Sequence, residues 1–486
     1  MQRVDDLLRA AAARHRDKTA FVCGETRLSY RELQQQSDRA AAGLRQLGVV
    51  RGDRVVLWLP TGAELVVAIF ATLKAGAAFV VADASSKPDR IDYVFTDSGA
   101  RVLLASETGG DDIPYATNYQ ELLASTGTVP NCDHIDRDLA CLVYTSGSSG
   151  PPKGVMSAHQ NVVFAVHSIR TCLGLRSDDV VLSALPLSFD YGLYQLLMVV
   201  ACGATLVCEP FTFPAQFLER LTEERATILP GVPTMWAMLL GMRLEAFDMS
   251  SLRSLTNTGA AIPEAHIQRL QAALPGAQLF SMYGLTETKR TLCLPPEQIA
   301  HRPGSVGIAI PGTEVWLEDD KGQRVGANEV GELIVRGGHV MLGYWNAPAA
   351  TAERFVDGPL PGERLCRTGD LFRRDEAGYY YFVSRRDDML KSRGQKVSPK
   401  EVEDVLHELP TIQEAAVVGE ADEVLGSAIV AYVQTRDDEH NARKVTRHCR
   451  SRLEDFKVPD RIVFVDALPK TSNGKIDRQR LTTPPA

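Results

Sequence analysis

A chain of 486 residues is too long for one compact core and points to two or more domains. Hydrophobic residues at 44% and charged residues at 23% describe a soluble globular protein, not a disordered or fibrous one. The formal net charge of −8 argues against a nucleic-acid partner, and no apolar run is long enough for a membrane span. The nine cysteines contain no C-x-x-C pair, which fits reduced thiols better than a disulfide framework or a zinc site. Asp5 and Asp6 near the N-terminus, with no apolar h-region, predict no signal peptide and a cytoplasmic location.

Val4, Leu7, Leu8, Ala11 and Ala12 have helical spacing. Ser29 and Glu32 form a capping box that opens a helix running through Gln46, closed by Gly48. Strands are expected at Arg54 to Leu59 and Ala77 to Ala82, with an apolar helix between them at Glu64 to Leu73. This alternation continues to about residue 230 and predicts parallel α/β layers. From about Pro303, short alternating runs such as Thr313 to Leu317 and Glu332 to Arg336 predict a small β-rich subdomain. The charge-dense stretch SRRDDMLKSRG, from Ser384, reads as a linker. Beyond it, Ser398, Pro399 and Glu401 open another helix, and strands are expected at Ala415 to Val418 and Ala428 to Val433. The expected architecture is α/β: a large N-terminal domain over 1–385, and a small mobile α+β C-terminal domain over 386–486.

A run of hydroxyls and glycines, YTSGSSGPPKG from Tyr144 to Gly154, follows a strand-like segment at Leu139 to Val143. Backbone N–H groups and hydroxyls of such a loop can converge on one anion, and Lys153 adds a point charge. It is not a Walker A loop, because Pro152 replaces the second glycine and Gly154 stands where Ser or Thr is required. Composition alone leaves an ordinary surface turn equally open.

Four other strings carry chemistry. In SMYGLTE, Tyr283 offers a flat face for a purine, Gly284 permits close backbone approach, and Thr286 offers a hydroxyl to a phosphate. Glu287 can hold Mg²⁺ through an oxygen; the alternative is a solvated capping carboxylate. In RTGD, Asp370 suits a ribose diol, while a simple β-turn explains the same residues. Lys475 lies in the turn sequence TSNGK, which presents a lysine at a loop tip. NTGAA, from Asn257 to Ala261, reads as a strand-to-helix turn with Pro263 opening the helix.

Taken in chain order, the Tyr144 to Gly154 loop, SMYGLTE, RTGD, SRRDD at Ser384 to Asp388 and PKTSNGKIDR at Pro469 to Arg478 resemble the strings of the adenylate-forming superfamily: acyl-CoA synthetases, peptide-synthetase adenylation domains and firefly-type luciferases. The resemblance covers nearly the whole chain. It implies that Thr145, Ser146, Gly147, Ser148, Ser149, Gly150 and Lys153 hold the β- and γ-phosphates of ATP. It places Gly259, Ala260, Tyr283, Gly284 and Thr286 around the nucleotide, Asp370 and Arg385 at the ribose, and Glu287 on Mg²⁺. Ala261 would border the acid, Asp387 would be the hinge, and Lys391 and Gly394 would face the site during thioester formation. Ser384 departs from the family's glycine before Arg385, and its Cβ should restrict the approach to the hinge. Lys475 would stabilise charge as a carboxylate attacks the α-phosphate.

The acid itself is addressed by LPLSFDYGLYQ, from Leu185 to Gln195. Asp190 follows Phe189 as an aspartate does in amino-acid adenylation domains, where it meets the substrate ammonium. A carboxylate in an apolar pocket needs a cationic partner. The alternative is that Asp190 caps a helix or meets an internal partner. Tyr191 and Tyr194, at i and i+3 of a helix, would leave room for a small substrate only. FDYGLYQ and GLTETKR look most like freestanding ligases that load L-proline onto a discrete carrier protein. The expectation is therefore a freestanding, ATP- and Mg²⁺-dependent ligase that passes a small amino acid to a carrier phosphopantetheine. A ligase using free coenzyme A is the alternative. A nucleotide-binding regulator that has lost catalysis is disfavoured by the joint presence of Glu287, Asp370 and Lys475.

Overall fold

The computed structural model describes residues 2–106, 116–124, 133–145, 151–392, 395–422, 426–435, 441–471 and 475–482. Two sheets organise the large domain. The parallel part of the first runs Thr19–Cys23, Thr205–Cys208, Val180–Ser183, Ile228–Gly231, Ser254–Asn257 and Gln278–Tyr283 in spatial order. It continues antiparallel through Leu292–Cys293, Ser305–Ala309, Tyr380–Arg385, Arg364–Arg374, Val330–Gly337 and Thr313–Glu318. The β-rich segment after Pro303 thus extends the same hydrogen-bonded sheet.

The second sheet is parallel through Ala116–Asn118, Val102–Ala105, Arg54–Trp58, Ala78–Val81 and Leu139–Thr145. Two antiparallel strands, Lys153–Ala158 and Gly343–Tyr344, complete it.

One apolar cluster joins the sheets: Phe21, Val181 and Leu206 from the first, Val55, Leu57 and Phe79 from the second. Between them runs the Asp190–Cys202 helix, buried continuously from Asp190 to Val200. A helix apolar on every face is stable only when enclosed in this way. Its first turn carries Asp190 and Tyr191 into the interior.

The small domain pairs Ile412–Asp422 antiparallel with Gly426–Thr435, which lies parallel to Arg461–Phe464. The Pro399–His407 and Ala442–Arg450 helices cover that sheet around Val402, Leu406, Val417, Ile429 and Cys449. Ser398 Oγ donates to the Val383 carbonyl at 2.7 Å, and the His266 and His407 rings meet across the seam at 5.5 Å.

The capping box at Ser29 and Glu32 is present, and its helix covers Tyr30–Gln46. The charge-dense stretch is more ordered than a plain linker. Ser384 and Arg385 end a strand of the large sheet, Arg386 N–H donates to the Gly369 carbonyl at 2.9 Å, and Leu390–Ser392 pairs with Gln395–Val397. No helix among the described residues is long and apolar enough to cross a membrane.

Candidate active site

The strand Leu139–Thr145 and its antiparallel partner Lys153–Ala158 bring Thr145 opposite Lys153. The loop between them holds the expected phosphate residues Ser146, Gly147, Ser148, Ser149 and Gly150, which lie outside the described residues. At its far end the Lys153 ammonium sits 5.6 Å from the centre of the Tyr344 ring.

Tyr344 links that lysine to Glu287. Its hydroxyl donates to Glu287 Oε1 at 2.5 Å, and burial with the Glu287 charge raises the phenol's pKa. Arg354, largely enclosed, lies in the field of both Glu287 and Asp370. A carboxylate with one oxygen bonded to a phenol and a second oxygen left over fits Mg²⁺, which binds through one or two carboxylates plus phosphates. No cluster of three or more metal-ligating side chains occurs among the described residues. Thr286 is half-buried in the same segment.

Gly284 is needed for a reason that its sequence context does not reveal. A Cβ there would stand 1.6 Å from the Lys289 carbonyl oxygen, so the glycine serves the folding back of its own segment.

Asp370 is 3% exposed and accepts a hydrogen bond from the Tyr283 hydroxyl at 2.7 Å. Arg385 Nε stands 3.4 Å from its other oxygen. Burial raises the Asp370 pKa, and Arg385 opposes the shift. The Tyr283 ring packs edge-on against Phe372, with centroids 4.7 Å apart. The TGD residues lie inside the strand Arg364–Arg374, at an irregularity in its pairing, and not in a β-turn.

Lys475 comes from the small domain. The Thr471 N–H donates to the Lys475 carbonyl at 2.8 Å. The residue is exposed, and its ammonium lies 5.6 Å from the centre of the Phe189 ring. Burial lowers its pKa; Asp190, Asp370 and Glu287 pull the other way. The Lys475 Cε stands 3.5 Å from where a Cβ on Gly259 would be, and that glycine has φ +89°. Ala260 and Ala261 follow, both exposed. The adjoining Asn257 accepts from Trp236 Nε1 at 3.0 Å and donates to the Ala260 carbonyl at 3.1 Å. One lysine thus brings Asp190, Glu287 and Asp370 into a single electrostatic neighbourhood. Asp387 is exposed in the turn after Arg385, Lys391 lies on Leu390–Ser392, and Gly394 is outside the described residues.

Around the acid pocket the structure modifies the expectation. Phe189 and Tyr191 pack edge to face at 6.4 Å, and the Tyr191 hydroxyl donates to the Thr256 carbonyl at 2.8 Å. Asp190 is 7% exposed and lies in the field of an internal cation, the wholly enclosed Arg290, without forming an ion pair with it. The Arg290 guanidinium lies 4.3 Å over the Tyr191 ring. The apolar-pocket premise for a substrate ammonium on Asp190 therefore does not hold as stated. Tyr194 is 0% exposed, with Lys289 Nζ 5.6 Å from its ring centre. Lys289, Arg290, Tyr344 and Arg354 are not among the residues that the sequence singles out. The first two had a visible signal, a pair of consecutive cations just after Glu287; the others are brought in only by the fold.

The chain is similar along its length to known proteins. Residues 8–345 match the family model of the AMP-binding enzyme, and residues 401–475 that of the AMP-binding enzyme C-terminal domain. A feruloyl-CoA synthase of Amycolatopsis sp is 34% identical over 469 residues, 94% of either protein. A plipastatin synthase polypeptide of Bacillus subtilis (strain 168) is 31% identical over 496 residues, covering 99% of this chain; the chain spans only 19% of that protein. The crystal structure of the anthranilate CoA ligase AuaEII in complex with anthranoyl-AMP superposes with a TM-score of 0.90 at 28% identity, covering 99% of this chain and 96% of that one. Taken with the shared neighbourhood of Glu287, Asp370 and Lys475, these matches establish that the chain belongs to the AMP-binding enzyme family.

Proposed function

We propose that this protein activates a small carboxylic acid with ATP, forming acyl-AMP and pyrophosphate, and then passes the acyl group to a thiol. The observation that carries the reading is Lys475, brought by the small domain to a neighbourhood that includes Asp190, Asp370 and Glu287. A lysine so placed stabilises charge developing between an attacking carboxylate and the α-phosphate. Asp370 and Arg385 would hold the ribose, and Thr145 and Lys153, with the loop between them, the terminal phosphates. Glu287 would hold Mg²⁺, which supplies positive charge to the phosphate oxygens. Turning about Asp387 would withdraw Lys475 and admit the thiol.

For the acid we propose a small amino acid, with its ammonium sharing Asp190 with Arg290 and the phosphopantetheine of a discrete carrier protein as acceptor. L-proline is the member to which the sequence resemblance points. Support comes from the buried position of Asp190 and from the bulk of Phe189, Tyr191 and Tyr194 around it. A second reading is a coenzyme A ligase for a small acid without an ammonium. It is favoured by Arg290, an internal cation whose charge lies in the field of Asp190. Asp190→Asn separates the two: on the first reading, exchange with amino acids falls while their des-amino counterparts are spared. Equal effects on both members of a pair would sink it, and a direct contest between a carrier protein and coenzyme A identifies the acceptor.

A further inference from the structure

Three polar groups in one part of the interior have no hydrogen-bond partner among the described residues: Tyr194 Oη, Lys289 Nζ and Arg290 Nε. Tyr194, Lys289 and Arg290 are each at most 1% exposed. Native proteins rarely bury such groups unsatisfied, least of all charged ones, because desolvation without a partner is costly. The three are neighbours. Lys289 Nζ lies 5.6 Å from the Tyr194 ring centre, and the Arg290 guanidinium lies 4.3 Å over the Tyr191 ring, one turn before Tyr194. The one side-chain hydrogen bond Arg290 makes among the described residues is long, 3.5 Å from Nη2 to the Tyr191 carbonyl.

Charge points the same way. Lys289 and Arg290 bring two cations, and the carboxylate in the field of Arg290, Asp190, is shared with Lys475, so positive charge exceeds negative here. Lys289 also holds φ +54°, a left-handed conformation uncommon for a side-chain-bearing residue and found preferentially at ligand clamps and active sites. The cluster adjoins the acid pocket through a chain of contacts: Tyr191 packs on Phe189 at 6.4 Å, and Phe189 on the Lys475 ammonium at 5.6 Å.

We infer that Lys289, Arg290 and Tyr194 form a polar end to the acid pocket, built to take a second hydrogen-bond-accepting or anionic group of the substrate. The substrate is then an acid with a further carboxylate, hydroxyl or carbonyl besides the carboxylate that is activated. This rests on the adenylation reading of the site and narrows its substrate class, away from unsubstituted L-proline and towards acids, amino acids included, that carry a second acceptor. The surplus of positive charge suits a second carboxylate best, and the donors of Lys289, Arg290 and Tyr194 suit any oxygen acceptor.

The test is ATP–pyrophosphate exchange with matched acids that differ by one acceptor: succinate and butyrate, L-aspartate and L-alanine, 4-hydroxy-L-proline and L-proline. In at least one pair the acceptor-bearing acid should be preferred about ten- to a hundredfold in kcat/KM, as expected for a hydrogen bond to a charged group. Lys289→Met should reduce that ratio towards one, with Arg290→Met as the companion variant and a thermal melt to confirm folding. If Lys289→Met does not fold, the ratio in the unaltered protein decides. Exchange in which the acceptor-lacking member is equal or better in every pair overturns the inference and leaves the adenylation reading standing. A preference that survives both variants overturns it too, since the acceptor is then read elsewhere. Absence of exchange with any acid removes the adenylation reading, and the inference falls with it.

Discussion

Removing the Lys475 ammonium should separate the two half-reactions. The group lies 5.6 Å from the Phe189 ring and has Asp190, Asp370 and Glu287 in its field, so it sits where acid and nucleotide would meet. A unit charge about 4 Å from a developing charge, at the effective dielectric of a partly enclosed site, contributes up to about 4 kcal/mol. A single placed donor in an enzyme is worth a factor of about a hundred to a thousand. Lys475→Ala should therefore lower acid-dependent ATP–pyrophosphate exchange by about that factor. Thioester formation from chemically made acyl-AMP should be nearly untouched, because Lys475 would leave the site in that step. The assay pairs radiolabelled exchange with mass-spectrometric detection of the thioester, on one preparation. Equal losses in both would refute the reasoning. The lowered pKa adds a signature: as pH rises through it, exchange should decline earlier than for an ordinary lysine, and Lys475→Arg should remove that decline.

Tyr344→Phe removes the 2.5 Å bond to Glu287 Oε1. A bond to a charged group is worth about 1.5–3 kcal/mol, and the loss should appear as a shift in the Mg²⁺ concentration for half-maximal exchange. Gly284→Ala puts a Cβ 1.6 Å from a backbone carbonyl, so it should cost more than about 4 kcal/mol or abolish soluble expression. Burial lowers His159 and His339 to about 4. The unfolded chain takes up these protons near pH 6.5 and the folded chain does not, so their contribution is complete above pH 6.5 and lost as pH falls towards 4. Each should account for about 3 kcal/mol of that loss, read as urea midpoints across the interval; His339→Asn should flatten its share, and a pH-independent midpoint would contradict this.

The parts legible in the sequence were those set by local chemistry. Ser29 and Glu32 mark a helix start because the capping box is a three-residue device, and the helix begins at Tyr30. The sequence offers a helix from Asp190 only as the condition for Tyr191 and Tyr194 to face one pocket, and it does not reveal the antiparallel pairing of Leu139–Thr145 with Lys153–Ala158. Contacts made by the fold were not legible. Tyr344 is 57 residues from Glu287, and nothing local marks it as that carboxylate's partner. Arg290 is 100 positions from Asp190, and without it the carboxylate looked as if it needed the substrate for a counter-charge. Gly284 is recognisable as a close-approach position, but the approaching group is the chain's own Lys289 carbonyl.

The central claim is that an acid is joined to AMP in this site. Acid-dependent incorporation of labelled pyrophosphate into ATP tests it most directly, because only reversible formation of an acyl-AMP couples the two. At least one small acid should support exchange in the unaltered protein and lose it in Lys475→Ala. Exchange independent of any acid, or undiminished without Lys475, would contradict the account.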